Sequence, residues 1–273
     1  MINYNKFSNL FFITIFSFAP VSILIGPSIS LILVLIICLY YILLNFKKDF
    51  FHLVNDKTIL ILILLNIYLI FNSLISIDFD SGFKRNFGFV RYIFLFLAIN
   101  YFIKVSNNLD KVFQFWTIIL LIVFFDIFYE FLNGQNILGF VSDNPKRIVS
   151  FFKDEQVIGA FLNGFIFIII GFLFQKFEEK NNYEKFLIIL FISFAILSMI
   201  FTGERSNTIK LFFGLAIFFY LNDKIKFKHK VIFVFSFIFS FLIIYNYFLS
   251  IGGKNHIKHR YYNDLVQRIT IKE

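Results

Sequence analysis

Long apolar runs separated by short polar segments extend from the first residues of the chain to about position 250. Each run holds roughly 17 to 22 residues with few charges, the length that an α-helix needs to cross a bilayer core of about 30 Å. The first two runs are separated by Pro20 and the pair Gly26-Pro27, and the seventh and eighth runs by 203–206. The pattern predicts an all-α, polytopic helical membrane protein whose nine transmembrane helices lie at 9–25, 28–46, 58–77, 88–104, 112–132, 157–175, 186–202, 206–222 and 231–250.

Composition excludes several other classes of protein. Hydrophobic residues make up 59% of the 273 positions, and 46 of them are Phe. A soluble domain is about half apolar, and its apolar residues come in short periodic stretches, so a soluble globular enzyme, a disordered protein and a coiled coil are excluded. An outer-membrane barrel is excluded too, because its strands alternate over about 10 residues.

The charge balance predicts how the helices are oriented. The chain carries 26 basic and 17 acidic residues, for a net charge of +9. In a membrane protein, basic loops anchor helices on the cytoplasmic side, so we expect no nucleic-acid partner. If the N-terminus is inside, the inner loops hold roughly twice as many Lys and Arg residues as the outer loops, which predicts N-terminus in and C-terminus out. Residues 1–250 then form the transmembrane bundle, and 251–273 begin an outer, periplasmic loop.

The arginines have an uneven distribution in this topology. Every arginine falls on the outer side, at Arg85, Arg91, Arg147, Arg205, Arg260 and Arg268. A guanidinium differs from an ammonium group in offering a planar fork that binds phosphate or carboxylate through two hydrogen bonds. The distribution therefore predicts an anion site at the outer face. Arg91 lies inside a predicted span, where an ionisable side chain marks function or reaches outward to the interface.

Acidic residues stand near the outer end of the span at 112–132. Asp126 and Glu130 are four positions apart and therefore share one helix face. We expect them to be ion partners of Arg91 or Arg147 rather than proton carriers. The loop at 133–156, which also holds Asp154 and Glu155, is apolar enough to fold back over the outer face.

Two further groups of candidates follow. Lys210 comes shortly after Arg205, and we expect it on much the same helix face, where it either reaches outward or adds to the anion site. His256 and His259 are candidate general bases, since histidine is the commonest such residue. Zinc would need further ligands at set spacing, so no metal and no cofactor is predicted.

Three segments resemble one family. The segment Phe201-Thr202-Gly203-Glu204-Arg205-Ser206 resembles the T-G-S-R-S signature of the O-antigen ligase and O-antigen polymerase-like membrane proteins. The segment 147–154 resembles the R-x-x-G-x-F-x-D stretch of the same family, and 133–139 also fits. Glu204 stands where the family has a small residue, and Ser150 stands where it has glycine. The family-like core covers about 112–250.

The resemblance implies a metal-independent, inverting glycosyltransferase of lipopolysaccharide or polysaccharide biosynthesis. The donor would be a glycan on undecaprenyl pyrophosphate, and the acceptor would be lipid A core in a ligase or a growing polysaccharide in a polymerase. The reaction would take place at the periplasmic face of the bacterial inner membrane. The resemblance implies that Arg205 and Arg147 bind the diphosphate with Arg91 in support, and it leaves Asp154 and Glu155 as stand-ins for an unidentified base.

Two alternatives stay open. Family members continue into a large outer loop and further helices, so we expect this chain to be C-terminally truncated and to represent about two thirds of a member. If the chain is truncated, one alternative is that it is a non-catalytic membrane subunit. The other is a transporter or flippase of lipid-linked sugars, with the arginines in its vestibule. Transporters place charges near the midplane and break helices in two corresponding halves, and the sequence shows no internal repeat.

Overall fold

The computed structural model describes most of the predicted bundle. It covers residues 2–45, 57–105, 109–142, 147–153, 155, 157–175 and 177–222, together with the single positions Lys228, Lys230, Val231 and Phe235. Across these residues the secondary structure is helical, with connecting loops and no strand. Most of the predicted ninth span, the tail at 251–273, Asp154, His256 and His259 lie outside the described residues.

Each of the first eight predicted spans coincides with helical structure. The helices within the described ranges are α1 (Ile2–Ser17), α2 (Ala19–Ile25), α3 (Pro27–Asn45), α4 (Lys57–Leu74), α5 (Phe79–Phe87), α6 (Val90–Val105), α7 (Leu109–Asn133), α8 (Ile158–Leu173), α9 (Asn182–Phe201) and α10 (Arg205–Leu221). Among the described residues, five stretches are long and apolar enough to cross a membrane, namely Pro27–Leu44, Lys57–Leu74, Phe79–Lys104, Leu109–Asn133 and Asn182–Phe201. The all-helical prediction is confirmed, whereas the count of nine spans and their orientation stay predictions.

The N-terminal region is more broken than the sequence predicted. The predicted span at 9–25 is divided between α1 and α2, and Pro20 lies in the first turn of α2, where its missing N–H is tolerated. The predicted break at Gly26-Pro27 is confirmed, because Gly26 has a φ of 150° and Pro27 begins α3. A side chain at position 26 would strain this backbone conformation.

Helix α5 lies where the sequence predicted an outer loop. Asp78 caps it by accepting a hydrogen bond from the Ser81 N–H at 3.3 Å. The Asn86 side chain of α5 donates hydrogen bonds to the Leu69 carbonyl of α4 at 2.9 Å and to the Ser73 hydroxyl at 2.7 Å. These contacts hold α5 against α4, so a segment with basic residues forms a helix because a neighbouring helix supplies its partners.

The described residues divide into two compact units, Met1–Phe115 and Trp116–Glu273, with the boundary inside α7. The core of the first unit is apolar and rich in rings, and the rings of Phe12 and Phe102 stack at 4.0 Å between centroids. In the second unit α8, α9 and α10 contact one another. Phe131 of α7 stacks on Phe201 of α9 at 4.3 Å. The C-terminal end of α7 therefore lies beside the C-terminal end of α9, where the second unit carries its buried charges.

Candidate functional site

Two buried carboxylates on α7 bind the backbone of the loop that follows it. Asp126 is 0% exposed and Glu130 is 4% exposed. Asp126 accepts a hydrogen bond from the Ile137 N–H at 2.9 Å. Glu130 accepts from the Val149 N–H at 3.1 Å and from the Ser150 N–H at 2.6 Å. The spacing of four residues in the sequence thus places both carboxylates beneath one loop. The predicted pairing of Asp126 and Glu130 with Arg91 or Arg147 stays a prediction.

Ser150 is the most constrained residue of this loop. Besides its N–H bond to Glu130, its hydroxyl donates to Asp126, and its carbonyl accepts from the Asn136 side chain at 2.7 Å. Its φ of 52° lies in the left-handed region, which costs a residue other than glycine about 1–2 kcal/mol. The family pattern has glycine at this position, and the observed φ gives a physical reason why glycine suits it.

The described parts of the loop are anchored to the helices at Asn136 and at 148–150, whereas most of 137–141 is exposed. The side-chain oxygen of Asn136 accepts from the Phe140 N–H at 2.7 Å, and the Asn136 N–H donates to the Phe140 carbonyl at 2.9 Å. Ile148 and Val149 are buried, whereas Ile137 is exposed. The prediction that the loop packs is confirmed for its two ends, and the side of the membrane on which it lies stays a prediction.

A third buried carboxylate, Glu204, has a structural role that sequence reasoning missed. It is 7% exposed and accepts from the Gly159 N–H at 2.9 Å and from the Asn207 side chain. Gly159 lies in the first turn of α8, so Glu204 joins the α9–α10 turn to the start of α8. The available sequence signal was an acidic residue in a short turn between two apolar runs.

Gly159 is required where it stands because the Glu204 carboxylate lies directly against it. A Cβ added at Gly159 would lie 2.7 Å from Oε2 and 2.9 Å from Cδ of Glu204. It would also lie 3.1 Å from the Cβ of Asn207. Only a residue without a side chain leaves room for the carboxylate to reach the backbone N–H.

A backbone hydrogen bond joins the two segments that carry the predicted diphosphate-binding arginines. The Ile148 N–H donates to the Thr202 carbonyl at 3.3 Å, which places Arg147 beside the turn that ends at Arg205. Gly203 makes this turn possible with a φ of 75°. Both arginine side chains are exposed. We refer to the segments 147–150 and 202–205 together as the arginine site.

Two further residues predicted to belong to the site, Lys210 and Glu155, are exposed. Lys210 is exposed on α10, five positions after Arg205, so the two side chains leave the helix about 140° apart. The expectation that they share a face is therefore wrong. Glu155 is exposed, and its N–H donates to the Phe152 carbonyl at 3.0 Å.

Arg91 belongs to the first unit, near the start of α6. Its Nη2 donates to the Tyr92 hydroxyl at 3.2 Å, and its guanidinium carbon lies 4.9 Å from the centroid of the Tyr92 ring. Its Nε is buried and has no hydrogen-bond partner among the described residues. Arg91 is thus a partly buried cation whose local contacts are aromatic.

The arginine site combines exposed cations with a backbone held by buried anions. The guanidinium groups can each bind phosphate oxygens through two hydrogen bonds. No group of three or more His, Cys, Asp or Glu side chains is arranged to hold a metal ion in the part of the chain that the structure describes. No protein-family model, curated protein or solved structure matches this chain.

Proposed function

We propose that the second unit transfers a glycan from a lipid diphosphate, as a glycosyltransferase of the O-antigen ligase and polymerase type. The observation that carries the proposal is the Ile148–Thr202 hydrogen bond at 3.3 Å. It joins two segments that are more than fifty positions apart in the sequence, and each segment supplies one exposed arginine. A diphosphate leaving group needs cations on two phosphates, and two arginines carried by adjacent backbone segments can supply them.

The backbone beneath the arginines is held in place before any ligand binds. Glu130 accepts the N–H groups of Val149 and Ser150, and Glu204 fixes the turn before Arg205 through Gly159. Cations that are already positioned stabilise developing charge without reorganising during the reaction. The buried carboxylates therefore act as positioning residues for Arg147 and Arg205.

The proposed reaction is an inverting displacement. An acceptor hydroxyl oxygen attacks the anomeric carbon of the glycan, and the bond from that carbon to the diphosphate oxygen breaks. The diphosphate leaves with the electron pair, and its charge is stabilised by Arg147 and Arg205. The acceptor proton passes to a general base.

The buried carboxylates are poorly suited to be that base. Asp126 and Glu130 have almost no exposed surface, and their oxygens already accept hydrogen bonds from the loop. Glu155 is exposed and stays a candidate. Asp154, His256 and His259 stay candidates that lie outside the described residues.

The proposed setting is the periplasmic face of a bacterial inner membrane, with the N-terminus inside. Five helical stretches that are long and apolar enough to cross a membrane support a membrane setting. The donor is an undecaprenyl pyrophosphate-linked glycan, and the acceptor is lipid A core or a growing polysaccharide. Arg91 lies in the first unit, and its supporting role in transfer stays a prediction.

The test is glycan transfer by the full chain reconstituted in liposomes with the lipid-linked donor and lipid A core. Arg205→Lys should lower transfer about 100-fold, because lysine keeps the charge but loses the planar fork. Arg85→Lys is the matched control and should transfer at the wild-type rate, since Arg85 is exposed on α5 in the other unit. Undiminished transfer by Arg205→Lys would show that this arginine does not bind the diphosphate.

Binding of the donor separates the proposal from its alternatives. If the wild-type chain binds the donor through Arg205 but moves it across the bilayer without transfer, the protein is a flippase. If it binds the donor and does neither, the chain is a non-catalytic subunit. Each of these outcomes overturns the transfer reaction while leaving the arginine site as a diphosphate site.

A further inference from the structure

The first unit contains a cavity that the proposed transfer reaction does not use. Its volume is about 430 Å³, within the range of about 300–1,000 Å³ that is usual for ligand pockets. It lies among α1, α2, α3 and α6. We call it the Arg91 cavity, and its lining includes Phe16, Ile23, Val34, Leu95, Ile99 and Arg91.

Arg91 is the charged residue of this cavity, and its donors are mostly unused. A guanidinium has five N–H donors. The Tyr92 hydroxyl takes one of them at 3.2 Å, and the buried Nε has no partner among the described residues. A cation at membrane depth is costly unless it is paired or reaches water. An anion in the cavity would accept hydrogen bonds from the terminal nitrogens of the guanidinium group.

The rest of the wall favours an apolar chain. The hydroxyls of Ser22 and Ser30, which also line the cavity, donate to the carbonyls of Ala19 and Pro27 at 2.8 and 2.9 Å. They are therefore already engaged with their own helices, and the remaining lining is dominated by aliphatic and aromatic side chains. A small hydrophilic anion would leave most of this surface without a matching partner.

We infer that the Arg91 cavity binds a membrane lipid with an anionic phosphate. The phosphate oxygens accept hydrogen bonds from Arg91, and the apolar chain lies along α1, α3 and α6. Glycerophospholipids and polyprenyl phosphates share this chemistry. The inference rests on the membrane setting and not on glycan transfer, so a protein that transfers no glycan would still bind the lipid here.

The charged half of the inference is tested by native mass spectrometry of the full chain in detergent, titrated with phosphatidylglycerol, a polyprenyl monophosphate and phosphatidylcholine. The two anionic lipids should bind more tightly than phosphatidylcholine, and Arg91→Gln should weaken their binding about tenfold. Arg85→Gln is the matched control, because it removes the same charge from an exposed position outside the cavity. Equal binding of all three lipids, or unchanged binding by Arg91→Gln, would overturn the inference.

The apolar half is tested by filling the cavity without changing its charge. Val34→Phe should lower anionic lipid binding, whereas Leu35→Phe, at the next and exposed position outside the lining, should not. Inorganic phosphate should fail to displace the lipid, and displacement would mean a phosphate site without a lipid chain. The anionic lipid that binds more tightly shows whether the natural ligand is a glycerophospholipid or a polyprenyl phosphate. The unfolding midpoint of each variant in detergent shows whether that variant is folded. If Arg91→Gln does not fold, the binding measured for Val34→Phe tests the inference instead.

Discussion

The two units of the protein bury their polar groups in different ways. Among the described residues of the first unit, the fully buried polar side chains are Ser22, Asn66 and Ser73, all of them neutral. They bond within or between helices, as Asn66 does when it donates to the Asn86 carbonyl at 2.9 Å. Among the described residues every buried carboxylate belongs to the second unit, at Asp126, Glu130 and Glu204.

This difference in buried polar residues follows from the backbone conformation in each unit. A helix pairs its own N–H and C=O groups, so the first unit needs few additional acceptors. The N–H groups of Ile137, Val149 and Gly159, in the loop and at the start of α8, have no helical partner, and carboxylates accept them. Burying a charge costs several kcal/mol, which is offset here by strong hydrogen bonds that fix irregular backbone. The second unit is thus the one built to hold a loop and a turn in one geometry.

Replacing Glu130 should have the largest effect on stability. Glu130→Leu leaves the N–H groups of Val149 and Ser150 buried without a partner, so we expect a loss of about 3 kcal/mol in the free energy of unfolding. Trypsin should also cut faster after Arg147, because the loop end beside it is released. Both effects can be measured on the purified chain, by titration of mixed micelles with sodium dodecyl sulfate and by timed proteolysis.

The matched variant in the first unit is Asn66→Leu. It removes one neutral bond between α4 and α5, and such bonds in membrane proteins contribute about 0.6 kcal/mol. Its effect should therefore be a fraction of that of Glu130→Leu, with no change in cleavage after Arg147. Equal losses of unfolding free energy in Asn66→Leu and Glu130→Leu would show that buried polar groups stabilise the two units to the same extent.

Gly159→Ala should have the second largest effect, and it sharpens the comparison by testing one carboxylate contact. The added methyl would lie 2.7 Å from Oε2 of Glu204. Overpacking of this kind costs about 1–3 kcal/mol. The loss should shrink by more than half when Glu204→Ala is present as well, because the two residues are in direct contact.

Gly164→Ala on the same helix is the control for Gly159→Ala. Nothing lies within 4 Å of a Cβ added at Gly164, so alanine should be neutral or should stabilise the helix by up to about 1 kcal/mol. If the two alanine variants behaved alike, the contact between Gly159 and Glu204 would not be what constrains position 159.

The helices and their breaks could be predicted from the sequence for simple reasons. Runs of apolar residues specify helices by length and composition alone, and Gly26-Pro27 and Gly203 specify breaks through their backbone preferences. Local signals sufficed because these features depend on few neighbours. The Ile148–Thr202 bond joins the segments that carry Arg147 and Arg205, and the role of the two arginines stays a prediction.

The features that the sequence did not reveal depend on partners far away along the chain. Helix α5 packs against α4 through Asn86, a contact that its own sequence does not reveal. Its local signals are the helical spacing of Phe79, Phe83 and Phe87 and the capping residue Asp78, which a search for long apolar runs overlooks. The role of Glu204 depends on Gly159, which lies 45 positions earlier. An acidic residue beside an arginine suggests an ion pair when only neighbours are visible, whereas the structure gives its carboxylate a backbone N–H.

Ser150 allows the smallest and most specific test of how the second unit holds its loop. Ser150→Ala removes the hydroxyl bond to Asp126 and keeps the left-handed φ of 52°, whereas Ser150→Gly removes the same bond and relieves the backbone. The glycine variant should therefore be more stable than the alanine variant by about 1–2 kcal/mol. The unfolding titration used for Glu130→Leu measures this difference. Equal stability of the two variants would show that position 150 does not adopt the left-handed conformation. The hydrogen bonds from this residue to Asp126, Glu130 and Asn136 depend on that backbone geometry, so they would then have to be rearranged as well.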